Sequence, residues 1–254
     1  MFRGKRISVV IPCHNEEDGI RAVMEQMPSI VDEVVVVDNC STDRTADVSR
    51  ELGCRVIFEG RKGYGRAYKT GFEKAKGDII VTMDGDGTYP PDSIPLLLHV
   101  LLEERIDFMT ARRWRLENDK SKSPLRLFGN AVLTGVTMVL YQKFLVDSQS
   151  GMWIFRKEVL ERMQPEADSM ALSQEIKILA FSTPGLRCME MPIYYGERIG
   201  DSKLNLWRDG LGNLVQLFAL RFTLGRRRRA ALAKVSQLRR ADDSETPPAR
   251  AQQS

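Results

Sequence analysis

The sequence predicts an α/β fold with a mostly parallel, doubly wound central sheet and helices on both faces. Three observations lead there. Short apolar runs alternate with segments of helical spacing through the first half of the chain. The runs lack polar alternation, as strands covered on both faces do. Polar clusters follow three of them directly, at the edge where ligands of such sheets bind.

The elements follow in order. Ile7–Pro12, Val34–Asp38, Arg55–Phe58 and Ile79–Asp84 read as strands, and three of the four are rich in Val and Ile. Between them, Glu16–Met27, Arg44–Leu52 and Gly65–Ala75 carry helical spacing. Pro90-Pro91 breaks the chain and begins a helix through Leu96–Glu104. Phe108–Ala111 reads as a strand, and the charged stretch Arg112–Ser123 as a mobile loop. Leu125–Val146 reads as an amphipathic or largely buried helix and Gly151–Phe155 as a short strand. Val159–Met163 and Gln174–Phe181 read as helices, Cys188–Tyr195 as a strand. Leu204–Leu224 reads as a helix weakened by Gly210 and Gly212. The polar end from about Ala241, with Pro247-Pro248, has the composition of a disordered segment. The expected organisation is one domain over residues 1–225, with 204–225 its amphipathic end, and a basic, disordered tail over 226–254.

Composition narrows the function. The chain has 254 residues, 43% of them hydrophobic, enough for a core. A formal net charge of +4 is too small to imply nucleic-acid binding, although Arg226–Arg229 form a basic run. The four cysteines make no CxxC pair, which argues against zinc or a disulfide framework and suits a reducing compartment. No apolar run reaches the roughly 18 residues of a membrane span.

Asp84-Gly85-Asp86 is the sharpest candidate site. Two carboxylates one residue apart at a strand end can turn toward one hard cation, Mg2+ or Mn2+, which completes its shell with phosphate and water. A cation there would stabilise a departing diphosphate. The plain alternative is a polar turn, since Asp-Gly-Asp-Gly is good turn chemistry. An EF-hand calcium loop fails, because Tyr89 stands where the loop needs glycine.

The ordered set of motifs decides between these readings. Val9-Val10-Ile11-Pro12-Cys13-His14-Asn15-Glu16-Glu17 is followed by Glu33-Val34-Val35-Val36-Val37-Asp38-Asn39-Cys40-Ser41-Thr42-Asp43. Lys62-Gly63-Tyr64-Gly65-Arg66-Ala67 comes next. Then follow Gly77-Asp78-Ile79-Ile80-Val81-Thr82-Met83-Asp84-Gly85-Asp86-Gly87, Gln149-Ser150-Gly151 and Arg198-Ile199-Gly200-Asp201-Ser202-Lys203. Over residues 7–204 this resembles the inverting GT-A glycosyltransferases of family 2, and within them the dolichyl-phosphate mannose synthase and polyprenyl-phosphate sugar synthase group. The resemblance implies a GT-A fold with a Rossmann-like sheet, a nucleotide-sugar donor and Mg2+ or Mn2+. It places Pro12, Asn15 and Glu16 near the nucleotide, Asp38 on base or ribose, and Asp43 at the frame of that pocket. Asp84 and Asp86 match the family's metal and diphosphate motif. Ser41-Thr42-Asp43 before a helix is also a plain cap. Lys62–Gly65 reads as a flexible loop beside the donor. The mannose-synthase group commonly shows Asp-Ala-Asp-Leu-Gln; here Gly87-Thr88 follows Asp86, so the resemblance leaves GDP-mannose, UDP-glucose and UDP-N-acetylglucosamine all open as donors.

The acceptor can be argued physically. A sugar hydroxyl needs a general base, and Glu175 sits where a base often lies in hydroxyl-acceptor relatives, although a structural role ranks first for it. A lipid phosphate is already ionised near neutral pH and needs cations instead. Arg126, Arg198 and Lys203 are the candidates, with Arg198 and Lys203 in a stretch resembling the family's mobile Arg-x-x-Gly-x-Ser-Lys loop. Arg112 and Arg113 are also considered, as residues of a solvated loop. Trp207, Leu211, Leu214, Val215, Phe218 and Phe222 recur at helical spacing before the arginine run, which suits a helix lying in a membrane interface. A terminal helix packed on the core is the alternative. The expected function is transfer of a sugar from a nucleotide donor to a polyprenyl or dolichyl phosphate by a peripheral protein on the cytoplasmic membrane face. The rivals are a transferase acting on a sugar hydroxyl and a non-catalytic nucleotide-sugar binder.

Overall fold

The computed structural model describes residues 1–114, 124–200 and 210–225. Seven strands form one sheet in the order β3-β2-β1-β4-β6-β5-β7. They are β1 (Ile7–Cys13), β2 (Glu33–Asp38), β3 (Arg55–Phe58), β4 (Ile79–Thr82), β5 (Phe108–Trp114), β6 (Trp153–Arg156) and β7 (Cys188–Tyr194). The helices are α1 (Glu17–Glu25), α2 (Thr45–Glu51), α3 (Tyr64–Lys74), α4 (Ile94–Glu103), α5 (Pro124–Tyr141), α6 (Val159–Met163) and α7 (Leu172–Ser182). An eighth helix, α8, spans 210–225. Strands β1 to β4 are mutually parallel, β6 runs against both β4 and β5, and β7 is parallel to β5.

The missing polar alternation in β1 has a direct cause. Ile7, Val9 and Ile11 pack on one face with Ile20 and Val23 of α1 and Leu97, Leu98 and Leu101 of α4. Val10 packs on the other with Tyr68 and Phe72 of α3 and with Leu172 and Ile176 of α7. Both faces are covered, so both sets are apolar; each buried side chain contributes about 1.5–3 kcal/mol. Helix α3 lies so close that a Cβ at Gly71 would stand 2.3 Å from Val10 Cγ1. A smaller cluster of Leu133 of α5, Ile178 of α7 and Leu217 and Leu220 of α8 holds the terminal helix on the body.

Several expectations change. The stretch Arg112–Trp114 is strand, paired with Pro192–Tyr194 of β7, where a mobile loop was expected. Its charge is tolerated because Arg113 is neutralised by Asp147, with Nε–Oδ2 and Nη2–Oδ1 distances of 2.6 and 2.8 Å. Residues 115–123, the rest of that expected loop, lie outside the described residues. Helix α5 stops at Tyr141, short of Val146, because Gln142 turns left-handed at φ 53°. Strand β4 ends at Thr82, which leaves Asp84 on the turn beyond the ladder. The start of the expected 204–224 helix and the whole 226–254 tail fall outside the described residues.

Candidate active site

Strands β1, β2 and β4 deliver their carboxyl ends to one edge, and a cavity of about 390 Å³ opens there. Its walls carry Pro12 and Cys13 at the end of β1, His14 and Glu16 after it, Asn39 after β2, and Asp84, Gly85 and Asp86 after β4. Lys62, Gly63, Tyr64 and Ala67 line it from the α3 side, Ser169, Met170 and Arg198 from the second half of the chain. The aspartate turn fits between α1 and β1 only because two glycines are there. A Cβ at Gly19 would lie 2.3 Å from Gly85 O, and one at Gly85 2.7 Å from Cys13 Sγ.

The two aspartates stand together on the cavity wall, Asp84 half-buried and Asp86 with 2% of its surface exposed. Asp84 Oδ1 accepts from the Tyr64 hydroxyl at 3.2 Å and the Tyr68 hydroxyl at 3.4 Å. Burial first, and the charge of Asp86 second, push the Asp84 carboxyl up to about 7, against the pull of Arg198. Asp86 Oδ1 accepts from the Thr88 backbone N–H at 3.0 Å and its hydroxyl at 2.6 Å. Asp86 Oδ2 pairs with the Arg198 guanidinium, which also lies 3.9 Å from Glu16 Oε1. Thr88, which stands where the mannose-synthase group has Gln, thus orients the second aspartate.

A divalent cation fits this donor set under one condition. Among the described residues, no three His, Cys, Asp or Glu side chains cluster into a cage for a metal. Asp84 and Asp86 offer two hard carboxylates in a site whose buried negative charge already draws in a guanidinium. Mg2+ or Mn2+ would take its remaining ligands from a bound diphosphate and water.

The other expected site residues divide. Pro12 and Glu16 line the cavity. Asn15 and Asp43 do not; they build the edge beneath it. Asn15, left-handed at φ 55°, accepts the Thr42 N–H on its Oδ1 at 2.7 Å and donates its own N–H to Ser41 Oγ at 3.0 Å. Asp43 accepts from the Thr45 N–H and hydroxyl at 3.0 and 2.5 Å, and from the Glu17 N–H at 3.4 Å. Burial alone would raise its carboxyl, but the Thr45 bonds hold it below the ordinary range. Asp43 thus closes a local turn just ahead of α2, whose N-cap is Arg44 without a side-chain bond, so the plain-cap reading is not realised as drawn. Asp38 Oδ1 accepts the Ser41 N–H at 3.0 Å, and its neighbour Asn39 takes the place on the cavity wall. Arg126 lies on α5 with its side chain outside the description, and Lys203 lies outside the described residues. Arg112 stacks over Trp114, 5.8 Å from the ring centroid; neither it nor Arg113 lines the cavity.

The structure gives three sets of residues partners that the sequence left unassigned. Asn39 is a hub whose Nδ2 donates to the carbonyls of Glu59 and Arg61, each at 2.9 Å, while Oδ1 accepts the Gly63 N–H at 2.8 Å. Gly63 is thereby held, and Tyr64 opens α3, so Lys62–Gly65 is a fixed turn beside the cavity where a flexible loop was expected. Its position directly after Asp38 was the available signal. Tyr64 and Tyr68, one helical turn apart, present their hydroxyls to Asp84. Glu175 is 3% exposed, and its two carboxylate oxygens accept the backbone N–H groups of Glu166 at 3.1 Å and Ala167 at 2.7 Å.

The comparisons with known proteins agree with this geometry. The family model described as glycosyl transferase family 2 matches residues 8–164. The chain is 37% identical over 215 residues to a low-salt glycan biosynthesis hexosyltransferase of Haloferax volcanii, covering 80% of this chain and 51% of that relative; the chain spans about half its length. It is 31% identical over 207 residues to a dolichyl-phosphate hexose transferase of the same organism, covering 80% of this chain and 89% of the relative. Among solved structures it is similar to glucosyl-3-phosphoglycerate synthase from Mycobacterium tuberculosis in complex with Mn2+, uridine diphosphate and phosphoglyceric acid. The TM-score is 0.72 at 23% identity, covering 86% of this chain and 79% of that one.

Proposed function

The chain belongs to glycosyl transferase family 2, and we propose that it transfers one hexose, with inversion, from a nucleotide-sugar donor to a polyprenyl or dolichyl phosphate. One observation carries the choice of acceptor. The carboxylates facing the cavity, Glu16, Asp84 and Asp86, all gather round Arg198, while Glu175, the base of the hydroxyl-acceptor alternative, spends both oxygens on backbone N–H groups. An acceptor that arrives ionised suits this arrangement, because its oxygen needs no proton removed before it attacks. The relative named as a dolichyl-phosphate hexose transferase supports the same reading.

Asp84 and Asp86 would hold Mg2+ or Mn2+, which would supply Lewis-acid stabilisation to the leaving diphosphate. Tyr64 and Tyr68 fix the Asp84 carboxylate, and Thr88 fixes that of Asp86. Arg198 exchanges its present partners for phosphate oxygens when the donor enters, its planar fork matching either. Arg126 and Lys203 are the further cations assigned to phosphate in this reading. Pro12, Glu16 and Asn39 border the nucleotide, with Asp38, Asn15 and Asp43 bracing that edge. The acceptor phosphate oxygen bonds to the anomeric carbon as the bond to the diphosphate breaks, and the nucleoside diphosphate leaves.

Residues 1–225 form the catalytic domain in this reading, and the molecule works on the cytoplasmic membrane face. No helix among the described residues is long and apolar enough to cross a membrane. Helix α8 instead exposes Leu211, Val215, Phe218 and Phe222 on the side opposite Leu217 and Leu220. A stripe on α5 exposes Phe128, Val132 and Val139. Such a surface suits the headgroup region.

The test supplies the purified protein with Mn2+, a panel of nucleotide sugars, and either polyprenyl phosphate or simple sugars. Nucleotide release only with the lipid phosphate is the expected outcome. Release only with sugars would sink the lipid reading, and no release in any mixture would favour a non-catalytic binder.

A further inference from the structure

The connection from α6 to α7 supplies Ser169 and Met170 to the cavity wall, and its position is over-determined from two sides. On one side stands Glu175, buried on the first turn of α7, accepting the N–H groups of Glu166 and Ala167. On the other stands the first turn of α3, in unusually close contact. A Cβ at Gly65 would lie 2.3 Å from Ala167 O, and one at Gly63 2.5 Å from Asp168 O. The Arg66 N–H donates to Asp168 O at 3.1 Å. Lys69 Nζ donates to Glu166 O and pairs with Asp168 Oδ1, each at 2.5 Å. The same turn of α3 carries Tyr64, whose hydroxyl bonds Asp84. Helix α7 is itself anchored, since Gln174 Nε2 donates to Asn213 O of α8 at 2.6 Å and Gln174 Oε1 accepts from Gln149 at 3.1 Å.

We propose that Glu175 is a positioning residue for the donor: its carboxylate clamps the 165–170 connection against α3 and so sets the cavity wall formed by Ser169 and Met170. This rests on the reading of the cavity as the nucleotide-sugar site. Glu175 touches no reacting atom; a carboxylate with both oxygens bonded to backbone N–H groups is a fixed strut. Glutamine cannot replace it, because the amide nitrogen would face an N–H donor with another donor.

The full-length protein is titrated with UDP and with GDP in the presence of Mn2+ by calorimetry, and donor KM and kcat are measured with polyprenyl phosphate. Glu175→Gln is expected to raise the nucleotide Kd and the donor KM about 10-fold while kcat stays within threefold, the signature of lost positioning in the ground state. Gly65→Ala pushes on the same connection from α3 with the carboxylate intact, and is expected to reproduce the split. Unchanged donor KM and Kd in a folded Glu175→Gln protein would overturn the proposal. So would a fall in kcat of about 100-fold or more at unchanged KM with loss of the acidic limb of the pH profile, which marks a general base. If the glutamine variant does not fold, an unchanged donor KM in Gly65→Ala overturns it. Wild-type protein that binds neither nucleotide refutes the donor reading and the clamp with it, a result distinct from wild type and variants binding alike.

Discussion

Asp84 is a residue in electrostatic conflict with its own fold. It is half-buried beside Asp86, and desolvation together with the Asp86 charge pushes its carboxyl up to about 7 from an ordinary value near 4. A raised carboxyl opposes folding only when ionised, so its cost is absent below the ordinary carboxylate range and complete above about pH 7. Asp84→Asn keeps an oxygen for the Tyr64 and Tyr68 hydroxyls and removes the charge. At pH 8, without metal or nucleotide, this variant is expected to be more stable than wild type by about 1 kcal/mol or more in a urea titration. Its turnover, and that of Asp86→Asn, is expected to fall about 100-fold or more. Stability gained where function is lost is the mark of a site shaped for a ligand. A stability loss in Asp84→Asn at pH 8 would contradict the electrostatic account.

Helix α8 has two apolar faces. Its inner face, Leu217 and Leu220, packs on Leu133 and Ile178. Tyr141 of α5 donates its hydroxyl to Leu217 O at 2.5 Å. Asn213 closes a buried polar ring with Gln149 and Gln174. Over its described residues the helix packs on the core and also presents an apolar stripe outward. The two faces separate experimentally. Phe218→Ser with Phe222→Ser is expected to weaken flotation with anionic liposomes several-fold while leaving the melting temperature within a few degrees. Leu217→Ala is expected to cost about 2–5 kcal/mol of stability. Equal flotation of the double variant and wild type would remove the interfacial role of α8.

At the scale of the whole molecule, the sheet's second half is held by buried charge. Arg113 of β5 and Asp147 form a bidentate pair, and Lys177 of α7, fully buried, donates to Asp147 O at 2.7 Å. Burial lowers the Lys177 ammonium to about 7, partly offset by Asp147. Burial alone would raise the Asp147 carboxyl, but Arg113 holds it well below the usual range. The sign for Lys177 follows from linkage: the folded state holds fewer protons than the unfolded chain between its two pKa values, so stability rises with pH from about 7 to about 10.5. Lys177→Met removes that titration and is expected to flatten this limb of the stability profile, measured by chemical denaturation across the window. An unaltered limb in the variant would assign it to other groups.

The sequence by itself determined the parallel β1–β4 half, the helices that cover it, and which polar residues stand at its ligand-binding edge. Those features are written in short-range periodicity: Val and Ile runs read as strands because both faces are covered, and the residue after a parallel strand reaches the edge whatever the rest of the chain does. Only the tertiary structure decided the antiparallel course of β6, the extension of β5 through Trp114, the pairing of Arg198 with Asp86 and the backbone N–H partners of Glu175. Each depends on groups far apart in the chain. A charge is tolerated in a strand only if a distant partner neutralises it, and a buried carboxylate becomes a strut or a base according to which groups the closed fold sets against its oxygens. Asp43 and Asp84 illustrate the division. Both follow strands and look alike in sequence, yet one is consumed by Thr45 and Glu17 while the other lines the cavity beside a second carboxylate.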